Sequence, residues 1–177
     1  MKNPFVLLLR LIALRRNESN TPHGLHPLSA IREATVLVAP QQEDSDAVRA
    51  AVSQFFNYNN IPVHIFCPTG KDIDLAGTIK KKSRGERAAQ GAGELLISLA
   101  DPDDAFWAEY EARCSRACFK IGRRQLKGDV FDLVILPPES GNIPSQSAVF
   151  SEIKNYLNIS SSPSKASEWE RPMSCPV

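Results

Sequence analysis

Three short apolar runs rich in β-branched residues recur along the chain, and segments of helical periodicity separate them. No other feature constrains the fold as much. The runs are residues 34–39, closed by Pro40; residues 61–66, followed by Cys67 and Pro68; and residues 131–136, closed by Pro137 and Pro138. The first, short and rich in β-branched residues, suits a strand buried on both faces. Pro62 falls at the start of the second run, where a missing N–H is tolerated. Residues 47–58 place Val48, Ala51, Val52, Phe55 and Phe56 at helical spacing. Residues 85–100 read as a helix through Leu95, Leu96 and Leu99, with Gly91 and Gly93 each costing about 1 kcal/mol relative to Ala. Residues 101–122 read as a longer helix. Asp101 is its expected N-cap, Pro102 suits N1, and Phe106, Tyr110, Cys114, Ala117 and Ile121 form its stripe. A last helix over residues 147–158 turns Val149, Ile153 and Tyr156 or Leu157 inward.

The order is strand, helix, strand, two helices, strand, helix. It predicts an α/β fold: a three-layer Rossmann-like (flavodoxin-like) domain with a short parallel sheet. Right-handed crossovers favour strand order 2-1-3, with residues 34–39 between the other two runs. Three strands make a narrow sheet. Either a further strand lies in residues 125–130 or in the tail, or the chain is a shortened form of a larger domain. A length of 177 residues fits one such domain with extensions. Residues 1–27 form an N-terminal helix and loop, and residues 28–159 the α/β domain. Residues 160–177, rich in serine and proline, are expected to be a disordered tail that cannot offset its ordering entropy.

Composition removes several function classes. Lys and Arg total 21 against 20 for Asp and Glu, so no global charge draws the chain to nucleic acid or to a membrane. Four cysteines are no disulfide framework. Arg10 interrupts the apolar N-terminus, which falls short of the roughly 20 residues a spanning helix needs. It also lacks the cleavage site of a secretory signal. Phe5, Leu8, Leu9 and Ile12 share one helical face, either docking on the domain or serving as a signal or membrane-surface element. The expectation is a cytoplasmic protein with no membrane span. His23 and His26 read as solvated loop histidines. Cys67, Cys114, Cys118 and His64 read as buried small side chains rather than zinc ligands, and no metal is expected. Gly91 and Gly93 lack the strand and third glycine of a dinucleotide fingerprint, and Gly70 with Lys71 lacks the rest of a P-loop.

Open α/β sheets bind ligands beyond the carboxyl ends of their strands, where the strand order reverses. Under order 2-1-3 that rule selects two loops, residues 41–46 and 139–147. They offer Gln41, Gln42, Asp44, Ser140, Asn142 and Ser147 as binding side chains, Glu139 as a second carboxylate, and Gly141 for close backbone approach. The helix N-termini that follow favour a phosphate or another anion.

The third run continues through Glu139, Ser140 and Gly141, with Val149, Phe150, Ser151, Glu152 and Ile153 behind it. This stretch resembles the strand–loop–helix signature of nucleoside 2-deoxyribosyltransferase-like proteins. Toll/interleukin-receptor-type NAD glycohydrolases have a related layout and also use a Glu. The resemblance spans about 25 residues, and Gly141 and Glu152 stand eleven apart, with 142–146 resembling an insertion. It implies N-glycosidic chemistry on a nucleotide or nucleoside, often in bacterial defence. NAD would then be a substrate rather than a cofactor, and no cofactor is needed. On that resemblance Glu152 is the nucleophilic or oxocarbenium-stabilising carboxylate, and Ser140, Gly141 and Ser147 form the ligand-binding turn. A carboxylate beside an anomeric carbon can do either job. The plain alternative is a surface glutamate on a helix.

A different class of function rests on two basic clusters. Lys80, Lys81 and Lys82 with Arg84 and Arg87 form the first. The six basic residues from Arg113 to Lys127 form the second. A basic helical face of this kind would serve a non-catalytic interaction module meeting nucleic acid or an acidic protein. Otherwise the clusters are solvated.

Overall fold

The computed structural model describes residues 4–40, 42–80, 82–83, 94–101, 105–136 and 144–160, except for the side chains of Asn17 and Ser160. Of the expected site residues, Gln41, Glu139, Ser140, Gly141 and Asn142 lie outside these. So do Lys81, Arg84, Arg87, Gly91, Gly93 and the tail beyond residue 160.

Among the described residues five strands form one parallel sheet: β1 (Ala34–Leu37), β2 (Val63–Phe66), β3 (Leu95–Ser98), β4 (Phe119–Gly122) and β5 (Leu133–Val134). Their order is β2-β1-β3-β4-β5. The helices are α1 (Pro4–Asn17), α2 (Ser45–Tyr58), α3 (Phe106–Cys114) and α4 (Gln146–Ser160). The α/β class, the parallel sheet and the β1–β2 pairing all stand as the sequence implies. This is a flavodoxin-like layout.

Two apolar layers sandwich the sheet because alternate side chains leave opposite faces. Ala34 and Val36 of β1, Leu95 and Ile97 of β3, and Phe119 and Ile121 of β4 meet Val48, Val52 and Phe56 of α2 and Val149, Phe150, Ile153 and Leu157 of α4. On the other face Leu37, Phe66 and Leu96 meet Trp107, Ala108 and Ala112 of α3, together with Phe131. The α1 helix lies outside α3. Arg10 stacks over the Phe106 ring at 4.4 Å. Arg113 of α3 pairs with Glu18 just beyond α1 at 3.1 Å and with Glu109 at 2.9 Å.

Three sequence readings give way. Residues 95–98 are the central strand β3, not the end of a helix. All four are buried, and a continuous run of apolar residues has no periodicity to separate strand from helix. The helix expected over residues 101–122 runs only from Phe106 to Cys114, with Ala105 rather than Asp101 at its N-cap. Ser115 ends it, and the chain re-enters the sheet as β4, where Lys120 is only 2% exposed. A lysine in mid-strand masked the apolar run. Burial pushes its ammonium pKa down, and neighbouring Asp132 partly offsets that. Finally, the run at residues 131–136 does not lie beside β1. Its ordered part, β5, pairs with β4 at the sheet edge, because β3 and β4 fill the intervening places. The strands missing from the sequence reading were therefore β3 and β4, not residues 125–130.

Candidate functional site: the cleft between β1 and β3

Order β2-β1-β3 moves the reversal point. From β1 the chain crosses one way to β2, and β3 lies on β1's other side. The crevice therefore opens beyond the carboxyl ends of β1 and β3. A cleft of about 540 Å³ lies there. Ala39, Pro40 and Gln42 line it from beyond β1, Pro68, Thr69 and Gly70 from beyond β2, and Asp101 from beyond β3. The first turn of α3 contributes Phe106 and Trp107, and α1 contributes Arg10. The volume falls within the range of small-molecule sites, about 300–1,000 Å³.

Each wall is fixed locally. The turn between Asp74 and Thr78 closes on the Asp74 carboxylate, which accepts from the Thr78 N–H at 2.8 Å and the Thr78 hydroxyl at 2.7 Å. Burial alone would raise the Asp74 pKa. Hydrogen bonds from Thr78, Ala76 and Gly77 outweigh it and hold the carboxyl below its ordinary value. Gly77 sits at φ +84°, a left-handed conformation that favours glycine. Arg10 donates through Nε to the Ala76 carbonyl at 3.0 Å, which ties α1 to this turn. Across the cleft, Arg124 stands 3.6 Å from the Asp101 carboxylate.

The loop after β1 and the start of α4 do meet, but they satisfy one another. Gln146, fully buried, accepts from the Ala39 N–H at 2.7 Å and donates to the Ala39 carbonyl at 3.0 Å. Asp44 accepts from the Ser147 N–H at 2.7 Å, and Ser145 Oγ accepts from the Ala148 N–H at 3.2 Å. Burial pushes the Asp44 carboxyl up, and the bonds from Ser147, Ser145 and Gln146 pull it below its ordinary value. The N-terminus of α4, expected to receive a ligand anion, thus holds the protein's own carboxylate. Arg123, also buried, donates to the Leu99 carbonyl at 3.0 Å and the Pro144 carbonyl at 2.7 Å, bracing the same corner.

Of the expected binding residues that are described, Gln42 lines the cleft, whereas Asp44 and Ser147 bond to each other beside it. Glu152 is exposed on α4 and is not among the described residues lining the cleft. Residues 113–127 do not form one helical face. Arg113 ends in ion pairs, Lys120 and Arg123 are buried, and Arg116, Arg124 and Lys127 are exposed on other segments. Cys114 and Cys118 lie on different elements, at the end of α3 and just ahead of β4. His23 is no solvated loop residue: its Nδ1 lies 2.6 Å from Asp132 Oδ1.

Arg10, Thr69, Asp74, Asp101 and Trp107 escaped the sequence reading as site residues. The turn at Cys67 to Gly70 was visible after the second strand. Only the identification of β3 would have drawn Asp101 and the start of α3 to the same crevice. The chain is thus an open parallel α/β protein with a polar, aromatic-sided cleft at its reversal point. No protein-family model, curated protein or solved structure matches it.

Proposed function

We propose that this chain binds a nucleotide or nucleoside in the β1/β3 cleft. The observation that carries the reading is the coincidence of a 540 Å³ cleft with the reversal point of the parallel sheet. Its chemistry suits the parts of such a ligand. Phe106, half-buried at the cleft, offers apolar surface for a base. The Asp101 carboxylate can accept from sugar hydroxyls. Arg10 and the first turn of α3 favour a phosphate. The N-glycosidic chemistry implied by the resemblance needs a carboxylate at the anomeric carbon. The resemblance assigns that role to Glu152, which stands outside the described lining of the cleft; within the cleft Asp101 holds the place by position.

Calorimetric titration with nucleosides, nucleoside monophosphates and NAD tests binding. We expect a Kd on the order of micromolar, weakened about tenfold or more by Asp101→Ala, because a bond to a charged acceptor is worth roughly 1.5–3 kcal/mol. No heat with any of the three classes would overturn the reading. Release of free base or nicotinamide, followed by chromatography, tests the chemistry. Loss of turnover in Glu152→Gln alone would select Glu152, and loss in Asp101→Asn alone would select Asp101. Binding without turnover leaves a binding domain.

A further inference from the structure

The α1 helix is apolar on two opposed sides. One side meets α3, where Arg10 lies over Phe106. The other presents Leu7, Leu8, Leu11 and Ile12 to solvent, each 40–54% exposed. At about 100° per residue these four positions span an arc of about 140°, and Arg15 falls inside it. Leu75, 90% exposed, stands on the turn that Arg10 holds through the Ala76 carbonyl. A folded domain normally buries such a stripe or uses it.

The charge on the helix says what covers it. Between Pro4 and Asn17 there are three arginines and no acidic residue, and the exposed Arg15 and Arg16 form its last turn. Fourteen residues make a helix about 21 Å long, short of the roughly 30 Å hydrocarbon core, so it cannot span. An apolar arc with cations at one end matches a helix lying in the plane of an anionic lipid surface, its leucines among the acyl chains and its guanidiniums at the headgroups. Two copies paired through this arc would gain no partner for those arginines.

We infer that α1 docks the protein on anionic membrane surfaces through Leu7, Leu8, Leu11 and Ile12, with Arg15 and Arg16 on the lipid headgroups. The inference is independent of what the cleft binds. Arg10, on the helix's inner side, carries the docked helix to the cleft wall.

Flotation of the full chain with unilamellar vesicles tests it, comparing pure phosphatidylcholine with phosphatidylcholine containing 30% phosphatidylserine. Binding to the anionic vesicles should exceed that to the neutral ones and fall as salt is raised. Leu8→Glu/Leu11→Glu should lower it at least about tenfold. Arg15→Gln/Arg16→Gln should lower it about thirtyfold, from about fivefold per charge near the surface. All four side chains are exposed, so thermal melts should match the parent. Were the leucine pair to unfold nonetheless, the arginine pair still decides. No flotation with either vesicle overturns the inference. So does equal binding to both, or a dimer in light scattering that Leu8→Glu/Leu11→Glu converts to monomer without any vesicle binding.

Discussion

Gln146 and Asp44 show how single side chains brace the corner beside the cleft. Gln146 spends both ends of its amide on the backbone of Ala39, 107 residues away. Gln146→Leu keeps the volume but leaves a half-buried donor and acceptor without their protein partner. The expected loss is roughly 2–4 kcal/mol in urea denaturation, the lower part of the range that about 1–3 kcal/mol for each of two fully buried groups would give. Asp44 acts as a cap in trans. It supplies the carboxylate to α4 while making no side-chain cap bond to its own helix, α2. Asp44→Ala should cost about 1 kcal/mol at neutral pH, the usual size of an N-cap. Its folded pKa lies below the model-compound value of 3.8. The wild-type advantage is therefore complete above that value and fades as pH falls through the lower folded pKa. Melting curves of both proteins between pH 7 and pH 2 check the sign. Neither residue was legible as structural. The sequence places Asp44 ahead of α2 and Ser147 at the start of α4, but the pairing depends on a contact 103 residues apart.

At the scale of elements, legibility followed neighbours in sequence rather than in space. β1 and β2 were readable because proline and polar turns bound each apolar run. α2 was readable because Val48, Val52 and Phe56 repeat at four and all bury. β3 and β4 were not. Leu95 to Leu99 satisfies helical and strand templates equally, and only a place between β1 and β4 makes it a strand. Phe119 and Ile121 flank a lysine whose stem is buried, so polarity at Lys120 broke the pattern. The β4–β5 edge carries a further constraint. A Cβ on Gly122 would lie 2.5 Å from the Phe131 ring. Gly122→Ala should destabilise the chain by roughly 1–3 kcal/mol through overpacking. Amide exchange at Ile135, whose N–H donates to the Gly122 carbonyl at 2.9 Å, should quicken more than exchange in β1. Equal quickening throughout would instead assign the loss to the whole core.

For the whole molecule, the strand placement decides where the reversal point falls. With residues 131–136 standing in for β3, the reversal-point rule pointed to residues 139–147; with β3 in that place, the same rule points to Asp101 and the first turn of α3. The rule selects Gln42 under either order, because the loop after β1 borders the crevice in both. Arg10 could not be found from local pattern at all, since it reaches the cleft from α1, outside the α/β alternation. The Gln146–Ala39 clamp also has a consequence for synthesis. A chain leaving the ribosome delivers β1, β2 and β3 early, and their parallel pairings can form in turn. Until Gln146 itself emerges, the Ala39 amide and carbonyl have only water for partners. Among the described elements, the corner beyond β1 thus sets late, when α4 closes over the first strand.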